Sequence, residues 1–577
     1  MTALLIRSLL FSLVLLNAAS LACAQPATPK RWKQAAIGVT RAGTEIPVWL
    51  NSGAGNPKSQ RNRMVVIGGH DGSTASTNFV QQLVERANTS KPNPNNGTAF
   101  IPKVFPDGLS TDLALTAGKG YPPGKGFYDD AAQPEPRYLW RWVGMYGATL
   151  VVDVRAGKTP GYWASEHADA DQLAKLLAAT PFTNKIEAPP ADDFVRQLAE
   201  KGVEDVGRVP TLLLHVSSPV AAPEVEAIAK LLASFTPSKS PAWDEIIWRE
   251  RRTPEQIAAS LATVYGHDLK QVAYIPALAV IGRQRIAVEL NDQKEQESLK
   301  QLLAPFLEGE KSPVPKSGSE HAGHLLFAEL AKRSEGKDRE RWIELCRAAA
   351  DQIFDKDGKP LKLMPSHNEM SDAVFMATPI LCATGKLTGE QKYFDAAVGH
   401  FRSMKKLCVR EDGIYRHSPL DEAAWGRGNG FPALGLAWAL SEFPEDHPAH
   451  GELKKEFQNH IAALLKHQDS FGCWHQVIDK PGSYREFSST CMIGWALKRG
   501  IDRGWLDKGT HQPALDQAWL AAKHRIGPKG KVVDICTGTG KMRSLRDYYD
   551  RPAIWGVDAR GGAMALMFST EMMDGTK

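Results

Sequence analysis

The sequence predicts two unlike halves, an α/β domain over residues 31–235 and an all-helical array over residues 253–577. Three observations predict this. In the first half, short β-branched or apolar runs alternate with amphipathic stretches. A polar segment with two prolines follows, and beyond it apolar residues recur at helical spacing with little strand signal. With 577 residues, 43% of them apolar, the chain has room for two cores.

Residues 1–24 read as an export signal. Arg7 supplies positive charge, Leu9 to Leu16 form an apolar core, and Ala22-Cys23-Ala24 fits a small-residue cleavage site, so the mature chain is expected to begin at Gln25. The apolar run is too short to span a membrane. Ser20-Leu21-Ala22-Cys23 approximates a lipoprotein site, yet Leu21 stands where a small residue is expected, which favours plain cleavage. The expected location is the periplasm or the extracellular medium.

In the first half, Met64 to Ile67, Thr149 to Val154 and Pro210 to Val216 have the texture of buried strands, and Asn78 to Arg86 and Glu224 to Ser234 that of helices between them. Alternation of this kind points to a largely parallel sheet. Thr236-Pro237-Ser238-Lys239-Ser240-Pro241 then breaks the pattern, so residues 236–252 are expected to form a linker.

From Pro254 onward roughly twelve helices are expected, in segments such as Gln271 to Leu290, Ser371 to Ala383, Pro432 to Phe443, Phe487 to Ile501 and Gly561 to Met573. In Glu390 to Leu407, Phe394, Ala397, Val398, Phe401 and Met404 recur at helical spacing, and Thr388 with Gln391 resembles a capping box. Six helical hairpins closed into a ring would bury one face of each helix and leave a loop-lined cleft. A solenoid is the alternative, but no fixed-period repeat is present.

Lys and Arg total 70 against 65 Asp and Glu, and a net charge of +5 on this length gives no electrostatic footprint of nucleic-acid binding. No later segment offers a membrane-length apolar run, so neither nucleic acid nor membrane is expected as a partner. Of seven cysteines, one lies in the signal; Cys346, Cys382, Cys408, Cys473, Cys491 and Cys536 are scattered through the second half with no zinc-like spacing. Cys346 and Cys382 fall within apolar helical patterns and read as buried free thiols.

Chemistry concentrates in two segments. In Ser371-Asp372-Ala373-Val374-Phe375-Met376-Ala377-Thr378-Pro379, Asp372, Phe375, Met376 and Pro379 share one helical face. A carboxylate among apolar neighbours loses solvation, which favours the acid form a proton donor needs. Asp372 stands equally well as a helix cap, its carboxylate turned to backbone N–H groups. The second segment is Gly413-Ile414-Tyr415-Arg416-His417 followed by Trp425-Gly426-Arg427-Gly428-Asn429-Gly430-Phe431. Trp425 offers a flat apolar face, and Arg427 and Asn429 offer donors, a combination suited to a sugar bearing a carboxylate.

The ordered series Ser371-Asp372-x-x-Phe375-Met376-x-x-Pro379, Gly413-x-Tyr415-x-His417, Trp425-Gly426-Arg427-Gly428-Asn429-Gly430, Gly472-x-Trp474-x-Gln476 and Ser483-Tyr484-x-Glu486-x-Ser488 resembles the unsaturated rhamnogalacturonyl and glucuronyl hydrolases of glycoside hydrolase families 88 and 105. The match runs from about Thr253 to the C-terminus. It implies an (α/α)6 barrel, removal of unsaturated uronyl residues from lyase-generated oligosaccharides, no cofactor and no metal. It also implies Asp372 as the catalytic acid and base, with His417, Trp425, Arg427, Asn429 and Trp474 shaping the sugar site.

Two departures bear on the substrate. Phe431 stands where the family commonly has Trp, and the family's second aspartate is missing from Ser317-Gly318-Ser319-Glu320-His321-Ala322-Gly323-His324, which leaves three alternatives: Glu320 as the stand-in carboxylate, a histidine in its place, or loss of that function. Lys531 to Gly540 looks like a strand running into a Gly-rich loop but lacks a following βαβ series, so it is not read as a nucleotide site; the resemblance implies a Gly-Thr loop near the cleft mouth.

In the first half, Val65-Val66-Ile67-Gly68-Gly69-His70-Asp71-Gly72-Ser73 faintly resembles the zinc carboxypeptidase fold. Zinc there would need His-x-x-Glu and a later histidine; Ser73 replaces the glutamate and Asp153-Val154-Arg155 occupies the later region, so His70 reads as a loop histidine and not a ligand. Two other functions stay open, a carbohydrate-binding barrel without catalysis and a peptidase-like amidohydrolase activity in the first half.

Overall fold

The structure, a computed structural model, describes residues 32–573 apart from 52, 90, 110–119, 124–132 and 167–168. The expected export signal lies outside these residues. Among the described residues no helix is long and apolar enough to cross a membrane.

The first half holds a seven-stranded sheet in the order β1-β2-β4-β3-β5-β7-β6, formed by β1 (Trp32–Val39), β2 (Glu45–Asn51), β3 (Asn62–Ile67), β4 (Asn96–Ile101), β5 (Leu150–Ala156), β6 (Gly161–Ala164) and β7 (Thr211–Val216). The central four, β4-β3-β5-β7, run parallel, while β1, β2 and β6 add antiparallel edges. Continuous apolar sequence in β3 follows from burial on both faces. Met64 and Val66 face helices Thr74–Thr89 and Ala222–Ser234, and Val65 and Ile67 face helices Glu135–Tyr146 and Phe194–Glu200.

The segment expected to be a linker is instead mostly helix, Pro241–Arg251. Ser240 accepts a hydrogen bond from Trp243 N at 3.0 Å and Pro241 takes the first helical position, so residues that look like breakers are start signals. Ile246 is buried in the same cluster as the sheet's Val65 and Ile67.

Beyond it, twelve helices among the described residues pair off, counting Gly318–Gly323 and Leu325–Ala331 as one bent helix and leaving the short Leu545–Tyr549 helix outside the pairing. Six form an inner ring in which each touches the next and the last touches the first: Tyr274–Glu289, Gly318–Ala331, Ala373–Thr388, Gly426–Glu442, Phe487–Asp502 and Ala559–Met572. The helices between them in sequence lie outside. Small residues let the inner helices close: a Cβ on Gly435 would lie 2.8 Å from the Phe375 Cα. Phe431 belongs to this core, stacked on Phe375 with centroids 5.7 Å apart. The capping box expected at Thr388 and Gln391 does not form. Thr388 ends the preceding helix, and Glu390 occupies the cap position without a side-chain cap bond.

The two halves share one apolar cluster. Ile37, Val39 and Ile46 of the sheet pack with Trp425, Val477, Tyr484, Tyr548 and Tyr549 of the helical half, and a buried ion pair joins Arg141 to Asp534 at 2.6 Å. All six described cysteines are buried and free.

Candidate active site

A cleft of about 360 Å³ opens at one end of the helical ring, lined by Tyr274, Ser319, His367, Met376, Thr539 and Arg560 around Asp372. Asp372 is the one carboxylate among its described lining residues. It opens the Ala373–Thr388 helix with helical backbone angles, but its carboxylate caps nothing. The preceding Ser371 fixes it from two sides, N–H to the His417 carbonyl at 2.9 Å and Oγ to the Gly428 carbonyl at 2.6 Å.

Asp372 is 4% exposed and its Oδ2 lies 3.1 Å from Nε2 of the buried His417. On the far side of that ring, Nδ1 lies 2.8 Å from the Tyr548 hydroxyl, whose oxygen accepts the Met542 N–H at 3.2 Å. Burial pushes the Tyr548 hydroxyl up to about 12, so it keeps its proton at neutral pH. The Asp372 Oδ1 has no hydrogen-bond partner among the described residues, which leaves one oxygen anchored and the other free at the cleft.

His400 supports the same helix start. Its Nδ1 accepts from Met364 N at 3.2 Å and its Nε2 donates to the Ala373 carbonyl at 2.9 Å; burial pushes its imidazole down to about 4, so it is neutral. Arg560 lines the cleft with its guanidinium paired to Asp558 at 2.8 Å.

Of the residues expected at the sugar, Asp372 and His417 come together, and the others turn away. Arg427 is fully buried: its Nη1 donates to the Cys536 carbonyl at 2.9 Å and to Ser488 Oγ at 3.3 Å, and its Nη2 to the Gly538 carbonyl. Trp425, equally buried, is flanked by His417, Arg427 and Arg551. Asn429 clamps the Tyr415 backbone, accepting from its N–H and donating to its carbonyl, both at 2.8 Å, and Trp474 donates to the Leu464 carbonyl at 2.8 Å. The Asn429 amide and Trp474 indole protons are spent on buried backbone and are not offered to a sugar, while Trp425 Nε1 and Arg427 Nε are buried without a hydrogen-bond partner among the described residues. The structure places all four in buried positions outside the cleft lining, where they act as scaffold.

What they scaffold is the segment from Cys536 to Arg551. Glu486 accepts from Cys536 N at 3.0 Å while capping its own helix through Ser489 N at 2.6 Å, and Gln476 donates to the Tyr548 carbonyl at 3.0 Å. The strand expected at Lys531 to Gly540 is present as Val532–Cys536, and Gly538 and Thr539 line the cleft as its loop.

Glu320, the candidate stand-in carboxylate, is tied to neighbours away from the cleft. It lies outside the cleft lining, and its oxygens accept from Gln271 Nε2 at 2.7 Å and Lys316 N at 2.6 Å. Desolvation opposes ionisation there, yet these hydrogen bonds hold its carboxyl below the usual range, the wrong direction for a proton donor at neutral pH.

The ordered text between residues 261 and 575 matches the profile of Glycosyl Hydrolase Family 88, more than half of the chain. The chain belongs to that family. Relatives of this family 88 chain include an unsaturated 3S-rhamnoglycuronyl hydrolase of Formosa agariphila, 28% identical over 185 residues, and an unsaturated rhamnogalacturonyl hydrolase of Bacillus subtilis, 26% identical over 215 residues. These alignments cover 28% and 35% of this chain and only 49% and 59% of the relatives' lengths. Among solved structures, a family 105 glycoside hydrolase of C. acetobutylicum aligns at 21% identity over 56% of this chain and 99% of its own, with a TM-score of 0.48.

Three residues around Asp372 escape a reading of the sequence: Tyr548, Arg560 and His400. His400 carries the one available signal, a polar residue on the apolar face formed by Ala397, Phe401 and Met404.

In the sheet half, His70 lies in the turn after β3, as expected of a loop residue, and it is buried there. Its Nδ1 lies 3.1 Å from Asp153 Oδ2 and its Nε2 3.2 Å from the Tyr121 hydroxyl, while Arg155 bridges Asp153 and Asp193. No group of three or more potential metal-ligating side chains occurs among the described residues.

Proposed function

We propose that this chain removes Δ4,5-unsaturated uronyl residues from the non-reducing ends of oligosaccharides left by polysaccharide lyases. The observation that carries this is the single carboxylate in the cleft, anchored through one oxygen by His417 with the other free. Ordinary glycoside hydrolysis needs two carboxyl groups, one to protonate the leaving oxygen and one to attack or to activate water. Hydration of an enol ether needs one group acting twice. The names of the curated relatives, hydrolases of unsaturated uronides, support the same substrate class.

In this reading the acid form of Asp372 gives its proton to C4, and positive charge develops at C5, stabilised by the ring oxygen. The resulting carboxylate then takes a proton from water as its oxygen bonds to C5. The hemiketal formed opens, and the neighbouring sugar leaves as an alcohol. Arg560 meets the uronate carboxylate, since its guanidinium is the charged donor lining the cleft and only part of its donor set is spent on Asp558.

The composition of residues 1–24 supports export, with the reaction taking place in the periplasm or outside the cell. N-terminal sequencing of mature protein beginning at Gln25 is the expected result; a modified Cys23 would contradict it.

The test of the activity is the ultraviolet absorbance of lyase-generated unsaturated disaccharides, which falls as the conjugated enol is consumed. No fall with any uronide would leave a sugar-binding barrel as the better account.

A further inference from the structure

Tyr548 stands 131 residues from His417 in sequence, yet it completes the Asp372 site from behind. Met542 N–H can only donate, so it donates to the Tyr548 oxygen. The Tyr548 proton has no acceptor other than His417 Nδ1 among the described residues, so the arrangement that satisfies every donor has that nitrogen accepting. That leaves the ring's proton on Nε2, donating to Asp372 Oδ2. Every donor in the chain Met542, Tyr548, His417, Asp372 has an acceptor, and the last link leaves only Asp372 Oδ1 for chemistry.

The segment bearing Tyr548 is held in part by the sheet half. In the Leu545–Tyr549 helix, Arg546 donates through Nη1 to the Thr40 carbonyl at 2.9 Å and to the Arg41 carbonyl at 3.3 Å, both in the turn between β1 and β2. Arg41 in turn pairs with Asp550 at 2.6 Å. Tyr548 and Tyr549 are packed in the same cluster as Ile37, Val39 and Ile46.

We propose that Tyr548 is a positioning residue for Asp372, and that one role of the N-terminal sheet is to clamp it there. The hydroxyl fixes His417 in the Nε2–H tautomer, and His417 fixes which Asp372 oxygen faces substrate. This rests on the reading of Asp372 as the acid. Without the hydroxyl, His417 is free to carry its proton on Nδ1, which turns a lone pair toward Asp372 and loses the anchoring bond.

The full-length chain tests this with Tyr548→Phe, which keeps the packed ring, Arg546→Ala, which removes the clamp, and Tyr549→Phe as a control with no link to His417. Two readouts are taken on each: kinetics on an unsaturated disaccharide, and the His417 tautomer from 15N-histidine spectra, assigned by loss of its signals in His417→Gln. Tyr548→Phe is expected to lower kcat by about 10- to 100-fold with KM within about threefold, because a misaimed acid damages the proton transfer and not the binding. It is also expected to convert the His417 signature from Nε2–H to a mixture. Arg546→Ala should move both readouts the same way by less, and Tyr549→Phe should move neither.

A folded Tyr548→Phe protein with the wild-type tautomer and kcat overturns the proposal, and so does an Arg546→Ala protein with both readouts unchanged as far as the clamp is concerned. If wild type hydrolyses no unsaturated uronide while Tyr548→Phe still converts the tautomer, the positioning is supported and the proposed function is what fails.

Discussion

The Arg427 guanidinium donates to the Cys536 carbonyl at 2.9 Å from a position with no solvent exposure. It therefore acts on the loop that walls the cleft. Arg427→Ala strands the Cys536 and Gly538 carbonyls and is expected to cost about 2–4 kcal/mol of stability, with kcat falling as the loop loosens. Thermal melting with steady-state kinetics checks this. An unchanged melting temperature with a raised KM would instead make Arg427 a substrate contact.

Arg560→Ala should behave oppositely. Loss of one charge-assisted hydrogen bond to the uronate is worth about 1.5–3 kcal/mol, so KM should rise at least about tenfold with kcat little changed. The contact needs a charged substrate, so the preference of wild type for the free acid over its methyl ester should disappear in the variant. A variant that keeps that preference points to a different carboxylate partner.

Stability should fall with acid through two buried histidines. Burial pushes both His400 and His524 down to about 4, against an ordinary value of 6.5. Between those limits the unfolded chain binds protons that the folded one does not, so their contribution is complete above about pH 6.5 and is lost as pH drops toward 4. Each accounts for about 3 kcal/mol across the window. Urea unfolding at pH 7 and pH 5 checks the sign, and His400→Gln should flatten the slope. Equal midpoints at the two pH values would show that neither histidine is held neutral.

The sheet half should bind no zinc. Both ring nitrogens of His70 face protein partners, Asp153 and Tyr121, and Arg155 already supplies the positive charge that Asp153 and Asp193 receive. Elemental analysis finding about one zinc per chain, lost in His70→Ala, would contradict this assignment.

The fold was largely legible because its signals are local. Met64 to Ile67 is apolar throughout because both faces are covered, and Phe394, Ala397, Phe401 and Met404 repeat at the helical period because one face is. Ser240 and Pro241 misled, since a Ser-Pro pair marks a helix start as readily as a break. In the site, Asp372 and His417 stand out within the motif text, but which way Trp425, Arg427, Asn429 and Trp474 point is decided by partners far away in sequence. Arg427 meets Cys536 across 109 residues and His417 meets Tyr548 across 131. No window of sequence contains both members of such a pair, so the residues that build the seat of the cleft read as residues that grip the sugar.

Asp372→Asn bears most directly on the central claim, since it keeps the shape of the side chain and removes its ability to give and take a proton. Loss of a positioned acid and base costs about 10²–10⁴-fold in rate, and one residue in both roles belongs toward the larger loss. The measurement is the decay of ultraviolet absorbance on unsaturated disaccharides, with substrate binding to the variant followed by calorimetry. Absorbance is predicted to fall with wild type and stay nearly constant with the variant, which still binds. A folded Asp372→Asn protein that consumes the enol at the wild-type rate would contradict the account.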